Sequence, residues 1–68
     1  MKIDKDKLLI AIANKCYTIN ELAEKSKISR NSINAYISGR KNPKPMTVGK
    51  IAKVLQVKVE DIVKTETN

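Results

Sequence analysis

The chain has 68 residues, of which 14 are lysine or arginine and 7 are aspartate or glutamate, so its formal net charge is +7 and its pI is near 9.8. A chain of this length forms one domain, residues 1–68, and buries only about 60% of the surface that its unfolded form exposes. Its single cysteine, Cys16, excludes an internal disulfide, and the absence of histidine excludes the usual zinc sites. We therefore expect a small apolar core, no metal and no cofactor.

The positive charge is concentrated in the middle of the chain. No acidic residue lies between Lys25 and Val59. The basic residues of this stretch are Lys25, Lys27, Arg30, Arg40, Lys41, Lys44, Lys50, Lys53 and Lys58. A pI above about 9 with clustered basic residues is typical of nucleic-acid binding. No apolar run approaches the ~18 residues of a membrane span, and the first residues, MKIDKDK, do not resemble a signal peptide, so we expect a cytoplasmic protein without membrane contact.

Apolar residues at helical spacing predict five helices, beginning with one over residues 4–15. Its buried face is predicted to hold Leu8, Leu9, Ile12 and Cys16. The second helix begins at Thr18, which has Glu21 three residues later, as a capping box requires. The core-facing residues of this second helix are predicted to be Ile19, Leu22 and Ala23.

The third helix opens at Ser29 as the N-cap and ends at Ser38, before Gly39. Its core-facing residues are predicted to be Ile33, Tyr36 and Ile37. About three residues separate helices two and three, which is the spacing of a helix-turn-helix, two short helices meeting at a steep angle. The sequence therefore predicts this motif.

A basic loop, RKNPKP, follows Gly39, and Pro45 suits the first turn of a fourth helix. In that helix the apolar residues fall at i, i+3, i+4 and i+7, at Val48, Ile51, Ala52 and Leu55. A fifth short helix is predicted over residues 58–64. The fold class expected is all-α, with five helices.

The outward face of helix three carries small polar and basic side chains. After the core positions are removed, the residues left on this face are Arg30, Asn31, Ser32, Asn34, Ala35 and Ser38. Arginine pairs with guanine, asparagine with adenine, and a small apolar group contacts the thymine methyl. The alternative is an ordinary solvated face. Asparagine and serine, however, lower the helix propensity of this segment without stabilising the fold in another way, which favours a surface that contacts DNA bases.

The segment TINELAEKSKISRNSINAYISGRKNP, residues 18–43, resembles the repressor-type helix-turn-helix family that includes phage lambda repressor and Cro proteins. The resemblance continues through TVGKIAKVLQV and VEDIV, so it covers almost the whole chain. It implies a sequence-specific regulator of transcription that binds double-stranded DNA, in most cases a repressor. Helix three would lie in the major groove and helix two would cross the backbone.

The resemblance also implies roles for individual residues. Those at base-contacting positions are Arg30, Asn31, Asn34 and Ala35. Those at phosphate-contacting positions are Thr18, Lys27, Ser29, Ser32, Arg40, Lys41, Asn42 and Lys44. This chain departs from the family where it has Ile19 in place of a frequent Gln, Lys27 in place of Gly, Ile37 in place of Glu, Gly49 in place of Ala, and Gln56 in place of Gly or Asn.

Six further side chains are interpreted without a base contact. Cys16 is expected to be a small buried or half-buried residue rather than a reactive thiol. Tyr36 belongs to the core, and Tyr17 either packs at its rim or donates its hydroxyl to a phosphate. Lys50, Lys53 and Lys58 are expected to form a solvated face.

A homodimer on a palindromic operator is the expected working unit. One helix offers about three base contacts of ~1–3 kcal/mol each, which barely reaches the ~4–10 kcal/mol that separates specific from non-specific binding. The predicted dimer interface is Val57, Val59, Ile62 and Val63, because one short helix cannot bury so many apolar residues. The alternative is that all four belong to the core and that the protein dimerises only on DNA.

Other classes of function remain as alternatives. The chain lacks histidine, a Gly-rich phosphate loop and a nucleophile with a partner base, so we expect neither an enzyme nor a site for a small-molecule ligand. The same fold also serves in protein-interaction modules, such as an antitoxin or an antagonist of a larger regulator. Non-specific or RNA binding would use stacking aromatics, and the chain has only two aromatic residues.

Overall fold

The computed structural model describes residues 1–64 and shows four α-helices in that range. The helices are α1, Lys5–Asn14; α2, Ile19–Ser26; α3, Arg30–Ser38; and α4, Pro45–Leu55. An all-helical architecture was predicted, and the only extended pairing in the described range is one isolated bridge between Ile3 and Val63.

The predicted fifth helix over residues 58–64 is not confirmed at that length, because only a single 3-10 turn, Val59–Asp61, forms in this segment. Residues 58–64 include Val59, Ile62 and Val63, whose β-branched side chains lower helix propensity. The backbone of the segment also has partners elsewhere. Ile62 O accepts a hydrogen bond from Asp4 N at 2.9 Å, and Lys64 N donates to Lys2 O at 3.0 Å. These bonds draw the segment out of a helix and onto residues 2–4.

The beginnings of α1, α2 and α3 are capped by side chains that precede them. Thr18 Oγ1 accepts from Glu21 N at 3.1 Å while Glu21 Oε1 accepts from Thr18 N at 2.9 Å, so the predicted capping box is confirmed. Ser29 Oγ accepts from Ser32 N at 3.1 Å, and Asp4 Oδ1 accepts from Lys7 N at 3.1 Å. These bonds satisfy amide groups that a helix leaves without a partner in its first turn.

Left-handed residues follow three of the helices directly. Gly39 follows α3 with a φ of 81°, Lys27 follows α2 with a φ of 59°, and Gln56 follows α4 with a φ of 57°. The last two are the positions at which the sequence departs from the glycine or asparagine common in the family. Outside glycine this conformation costs roughly 1–2 kcal/mol, so both residues hold strained backbone.

All four helices contribute to one core. The side chains with under 2% exposure are Leu8, Leu22, Ile33, Val48, Ile51, Leu55 and Ile62. The α4 pattern predicted from the sequence is confirmed, since Val48, Ile51, Ala52 and Leu55 are all buried. Tyr17 and Tyr36 pack against this core as partly buried side chains.

The predicted face of α1 is only partly correct. Leu8 and Ile12 are buried together with Ala11, whereas Leu9 is 40% exposed and Cys16 is exposed. Leu8, Ala11 and Ile12 share a face because they are three and four positions apart, and Leu9 lies about 100° further round the helix. Cys16 follows the end of α1 and has a left-handed φ of 58°, so it does not continue the helical face.

The longest helix in residues 1–64 is α4, with 11 residues, and none of the helices in that range has the length and apolar character needed to cross a membrane.

Candidate nucleic-acid interface

A turn of three residues, 27–29, joins α2 to α3 and gives the helix-turn-helix its shape. Lys27 ends α2 in the left-handed conformation, and Ile28 N donates to Ala23 O at 3.1 Å, which holds the turn against α2. Ser29 then caps α3. Leu22 of α2 and Ile33 of α3 are both fully buried, so the two helices are fixed to the same core. The core therefore fixes the position of α3 relative to α2 and leaves the opposite face of α3 outward.

The first turn of α3 presents its polar side chains to solvent. Arg30 and Asn31 are exposed, while Ser32 and Asn34 are half-buried. All four lie where the sequence predicted, outside the core-facing row of this helix. Their side chains offer the hydrogen-bond donors and acceptors that base edges require.

Ala35 was predicted to face outward, and this is wrong. Its side chain is only 6% exposed, and its carbonyl accepts hydrogen bonds from Arg40 N at 3.0 Å and Lys41 N at 3.3 Å. Ser38 Oγ also donates to this carbonyl, at 3.1 Å. The chain leaving Gly39 thus folds back against α3 at Ala35. A helical wheel cannot show this, because the cover comes from a loop.

One surface depression joins α3 to the loop that follows it. It has a volume of about 360 Å³, and its lining residues are Asn31, Ser32, Asn34, Ala35, Arg40 and Lys41. It therefore brings predicted base-contacting residues together with predicted phosphate-contacting ones. None of its lining residues is acidic, and an arginine and a lysine stand on its loop side. We call it the α3 depression.

The basic loop is held in place at both ends. Arg40 Nε donates to Ser38 Oγ at 3.0 Å, which directs the Arg40 side chain along the end of α3. At the other end Pro43 is buried, and its carbonyl accepts a hydrogen bond from the N-terminal ammonium group of Met1 at 3.0 Å. Lys41, Asn42 and Lys44 are exposed on the loop between and beside these anchors.

Three hydroxyl groups near the starts of α2 and α3 were predicted to contact phosphate. Thr18 Oγ1 accepts from the backbone of Glu21, and its own hydrogen is available to an anion. Ser29 Oγ donates to Ser32 Oγ at 2.8 Å. In this arrangement the Ser29 hydroxyl is used within the protein, and the hydrogen of Ser32 is the one available.

Lys27 lies apart from the α3 depression. It is exposed and lines a second depression with residues of α2 and α4, which include Lys25, Lys50 and Lys53. The sequence pattern placed Lys27 with the phosphate-contacting set and the α4 lysines on a solvated face. Lys50 and Lys53 are three residues apart on one helix and so lie on the same face of it. This spacing was the signal in the sequence for a basic surface on α4.

Two of the four residues predicted for the dimer interface belong to the core. Ile62 has no exposed surface and Val63 is 8% exposed, because residues 62–64 pair with residues 2–4. Their assignment to the interface is therefore wrong. Val57 and Val59 are half-buried. Ile10, which no sequence pattern singled out, is 61% exposed and lines a groove with Val57.

Comparisons with known proteins identify the family and the fold of the chain. A family model for the helix-turn-helix of the Cro/C1 type matches residues 15–62. No curated protein matches the chain by sequence. Two solved structures show the fold. One is SinR, the master regulator for biofilm formation, in complex with DNA, at 24% identity and a TM-score of 0.79; the match covers 85% of this chain and 97% of the solved SinR chain.

The other solved structure is a mutant of hydroxyethylphosphonate dioxygenase, at 18% identity and a TM-score of 0.83. The match covers 100% of this chain, which spans only 15% of the dioxygenase chain. At these identities the two structures show the fold alone. The family match covers most of the chain, from the residue after α1 to the residue after the 3-10 turn. The chain accordingly belongs to the Cro/C1-type helix-turn-helix family.

Proposed function

We propose that this protein is a sequence-specific, double-stranded DNA-binding regulator of transcription that acts as a repressor. The observation that carries the proposal is the α3 depression, in which Asn31 and Asn34 lie beside Arg40 and Lys41. Such a surface combines groups that read base edges with cations that bind phosphates. SinR, which has the same fold, was solved in complex with DNA, and this supports the proposal.

In the proposed complex α3 lies in the major groove and its first turn contacts the bases. Arg30 and Asn31 are exposed and free to form bidentate pairs with guanine and adenine, each contributing about 1–3 kcal/mol of discrimination. Asn34 lies one turn further along and is half-buried, so it reaches only a base edge that approaches the helix closely. Ala35 is omitted from this set because it is buried.

Phosphates on either side of the groove would be bound by the basic loop and by the start of α2. Arg40, Lys41 and Lys44 supply charge, while Thr18 and Ser32 supply hydroxyl donors. The start of α2 adds the positive end of a helix dipole, which favours an anion. Lys27 is not part of this set because it lines a different depression.

The proposed working unit is a homodimer on a palindromic operator. Arg30, Asn31 and Asn34 provide at most three base contacts, about 3–9 kcal/mol at ~1–3 kcal/mol each. Specific sites are bound ~4–10 kcal/mol more tightly than random DNA. Two copies of the protein reach this difference in binding free energy more readily than one. A dimer occupying two successive major grooves would cover the operator and exclude other proteins from it, which is repression by occupancy. Its proposed place is the cytoplasm, with the DNA.

Selection of bound duplexes from a random pool tests sequence specificity directly. We expect a recovered consensus with two-fold symmetry and half-sites about one helical turn, ~34–36 Å, apart. On that consensus Arg30→Ala and Asn31→Ala should each lose about 1–3 kcal/mol and relax the preferred base. Lys41→Ala is the matched control, since it should weaken consensus and random duplexes alike. Equal losses on both duplexes for all three variants would show that α3 does not read bases.

A further inference from the structure

The second depression of the molecule lies between the end of α2 and the middle of α4. It has a volume of about 430 Å³, and its lining residues are Lys25, Ser26, Lys27, Lys50, Lys53 and Val54. Four of the six are lysines, and none is acidic. It shares no lining residue with the α3 depression, so the proposed DNA interface does not use it. We call it the lysine-rimmed depression.

The floor of the lysine-rimmed depression is apolar in character. Ser26 is only 5% exposed, and its Oγ donates to Leu22 O at 2.7 Å, so its hydroxyl is already satisfied inside α2. Val54 is half-buried and packs against the core. The remaining walls include the methylene stems of the lysines, which cover apolar surface while their ammonium groups stay in water. An apolar side chain could therefore rest on this floor.

The rim carries positive charge that residues 1–64 do not neutralise. All four lysines are exposed, and none of them forms an ion pair with any part of residues 1–64. Lys50 and Lys53 are three positions apart on α4, where like charges repel. Lys25 Nζ lies 5.2 Å from the centre of the Tyr17 ring, a cation–π contact that leaves its charge in place. Lys27 adds its charge from a strained, left-handed backbone. An acidic partner would therefore meet four cations that no carboxylate of residues 1–64 already pairs with.

We propose that the lysine-rimmed depression binds an acidic segment of a partner protein, which inserts one aliphatic or aromatic side chain onto the Ser26–Val54 floor. Four lysines around an apolar centre match a peptide whose carboxylates surround an apolar residue. A nucleic-acid backbone would use the charges but would leave the floor empty. The proposal goes beyond DNA binding by α3, because it gives the regulator a separate surface through which a partner can hold or recruit it.

A synthetic peptide with three acidic residues on each side of one leucine is a suitable probe. Titrated into the isotope-labelled full chain, it should shift the backbone amide signals of Ser26, Lys27 and Val54 and leave those of Asn31 and Asn34 in place. The double variant Lys50→Glu/Lys53→Glu should weaken peptide binding by about tenfold or more, since each reversed charge faces the acids of the peptide. A peptide with serine in place of leucine should also bind about tenfold more weakly, because the floor then has no apolar partner.

The matched control is Lys2→Glu/Lys5→Glu, which changes the net charge of the protein equally at two exposed residues outside the depression. Its effect should stay within about threefold, as expected for screened charges at a distance. Equal loss in the two double variants would overturn the proposal, and so would equal binding of the serine peptide or shifts centred on α3. The proposal also fails if Lys50→Glu/Lys53→Glu weakens the binding of a random DNA duplex more than the control variant does, since the surface would then bind DNA. Absence of any duplex binding, with the peptide results as expected, would overturn only the DNA-binding function.

Discussion

The two glycines of the chain occupy opposite backbone environments. Gly39 ends α3 with a φ of 81°, a conformation that other residues adopt at a cost of about 1–2 kcal/mol. Gly49 lies inside α4, where glycine is less stable than alanine by about 0.5–1 kcal/mol. An added Cβ would meet no atom within 4 Å at either position. Backbone conformation alone therefore decides the effect of substitution at both.

We expect Gly49→Ala to raise the free energy of unfolding by about 0.5–1 kcal/mol. Gly39→Ala should lower it by about 1 kcal/mol, because the left-handed strain exceeds the entropy gained in the unfolded state. Urea denaturation of the two variants measures both values, and each variant serves as the control for the other. Changes of the same sign would contradict the assignment of the two backbone conformations.

At the scale of single helices, Thr18 has two roles that substitution can separate. It caps α2 through Glu21 N, and it is proposed to donate its hydroxyl to a phosphate. Thr18→Ala removes both roles and should cost about 1 kcal/mol of stability. Thr18→Asp keeps the cap, since aspartate is an equally good N-cap residue, but it places a carboxylate where the phosphate would lie.

We expect the free energy of unfolding of Thr18→Asp to lie within about 0.5 kcal/mol of the wild-type value. The same variant should bind duplex DNA more weakly than Thr18→Ala does. Thermal unfolding and fluorescence anisotropy with one labelled duplex provide the two measurements. If Thr18→Asp binds DNA as well as Thr18→Ala, the start of α2 does not face a phosphate.

Local signals predicted the starts of α2 and α3 and the end of α3 well, whereas the burial of Ala35 and Ile62 depends on contacts that no helical pattern encodes. Thr18, Ser29 and Gly39 marked the ends of α2 and α3 correctly because caps depend on neighbouring residues. Ala35 was misplaced because its cover is the returning loop after Gly39. Ile62 was misplaced because its partners are residues 2–4, far away in the sequence, and no periodic pattern encodes that pairing.

The candidate site was likewise predicted where the signal is local and missed where it depends on tertiary packing. The side chains of the first turn of α3 were predicted from residue type and helical position, both of which are local. The separation of Lys27 from the loop cations depends on how α2 packs against α4, so it became visible only in three dimensions.

For the molecule as a whole, the net charge of +7 predicts a strong dependence of DNA binding on salt. Each phosphate contact should contribute a slope of about −0.9 to the plot of log K against log salt concentration, because bound counterions are released from the duplex. Binding measured between about 50 and 200 mM salt gives the slope. The variant Lys41→Ala should make it less steep by about one contact. A slope near zero would exclude phosphate binding as the source of affinity.

The proposed homodimer would use the groove that Ile10 and Val57 line. Ile10 is the more exposed of the two, so Ile10→Lys should leave the fold intact while disrupting an apolar contact between subunits. We expect Ile10→Lys to bind a single half-site normally and to lose about tenfold or more on the two-fold symmetric site. Leu9→Lys makes the same chemical change one residue away, outside the groove, and should have little effect. Sedimentation on and off DNA then reports the number of subunits bound, and undiminished binding of Ile10→Lys to the symmetric site would place the interface elsewhere.

The pairing of residues 2–4 with 62–64 has a consequence for the order of folding. Ile3 and Val63 are 60 residues apart in the chain, so joining them closes a long loop, whereas α2, α3 and α4 follow one another and can pack early. Ile3→Ala, at a side chain only 6% exposed, should accordingly speed unfolding and leave the folding rate unchanged, which stopped-flow mixing with urea would show as a shift of one arm of the chevron. A slower folding arm would mean that the ends meet before the transition state. If only the unfolding arm shifts, the two ends separate before the transition state of unfolding, while the helix-turn-helix between them remains folded.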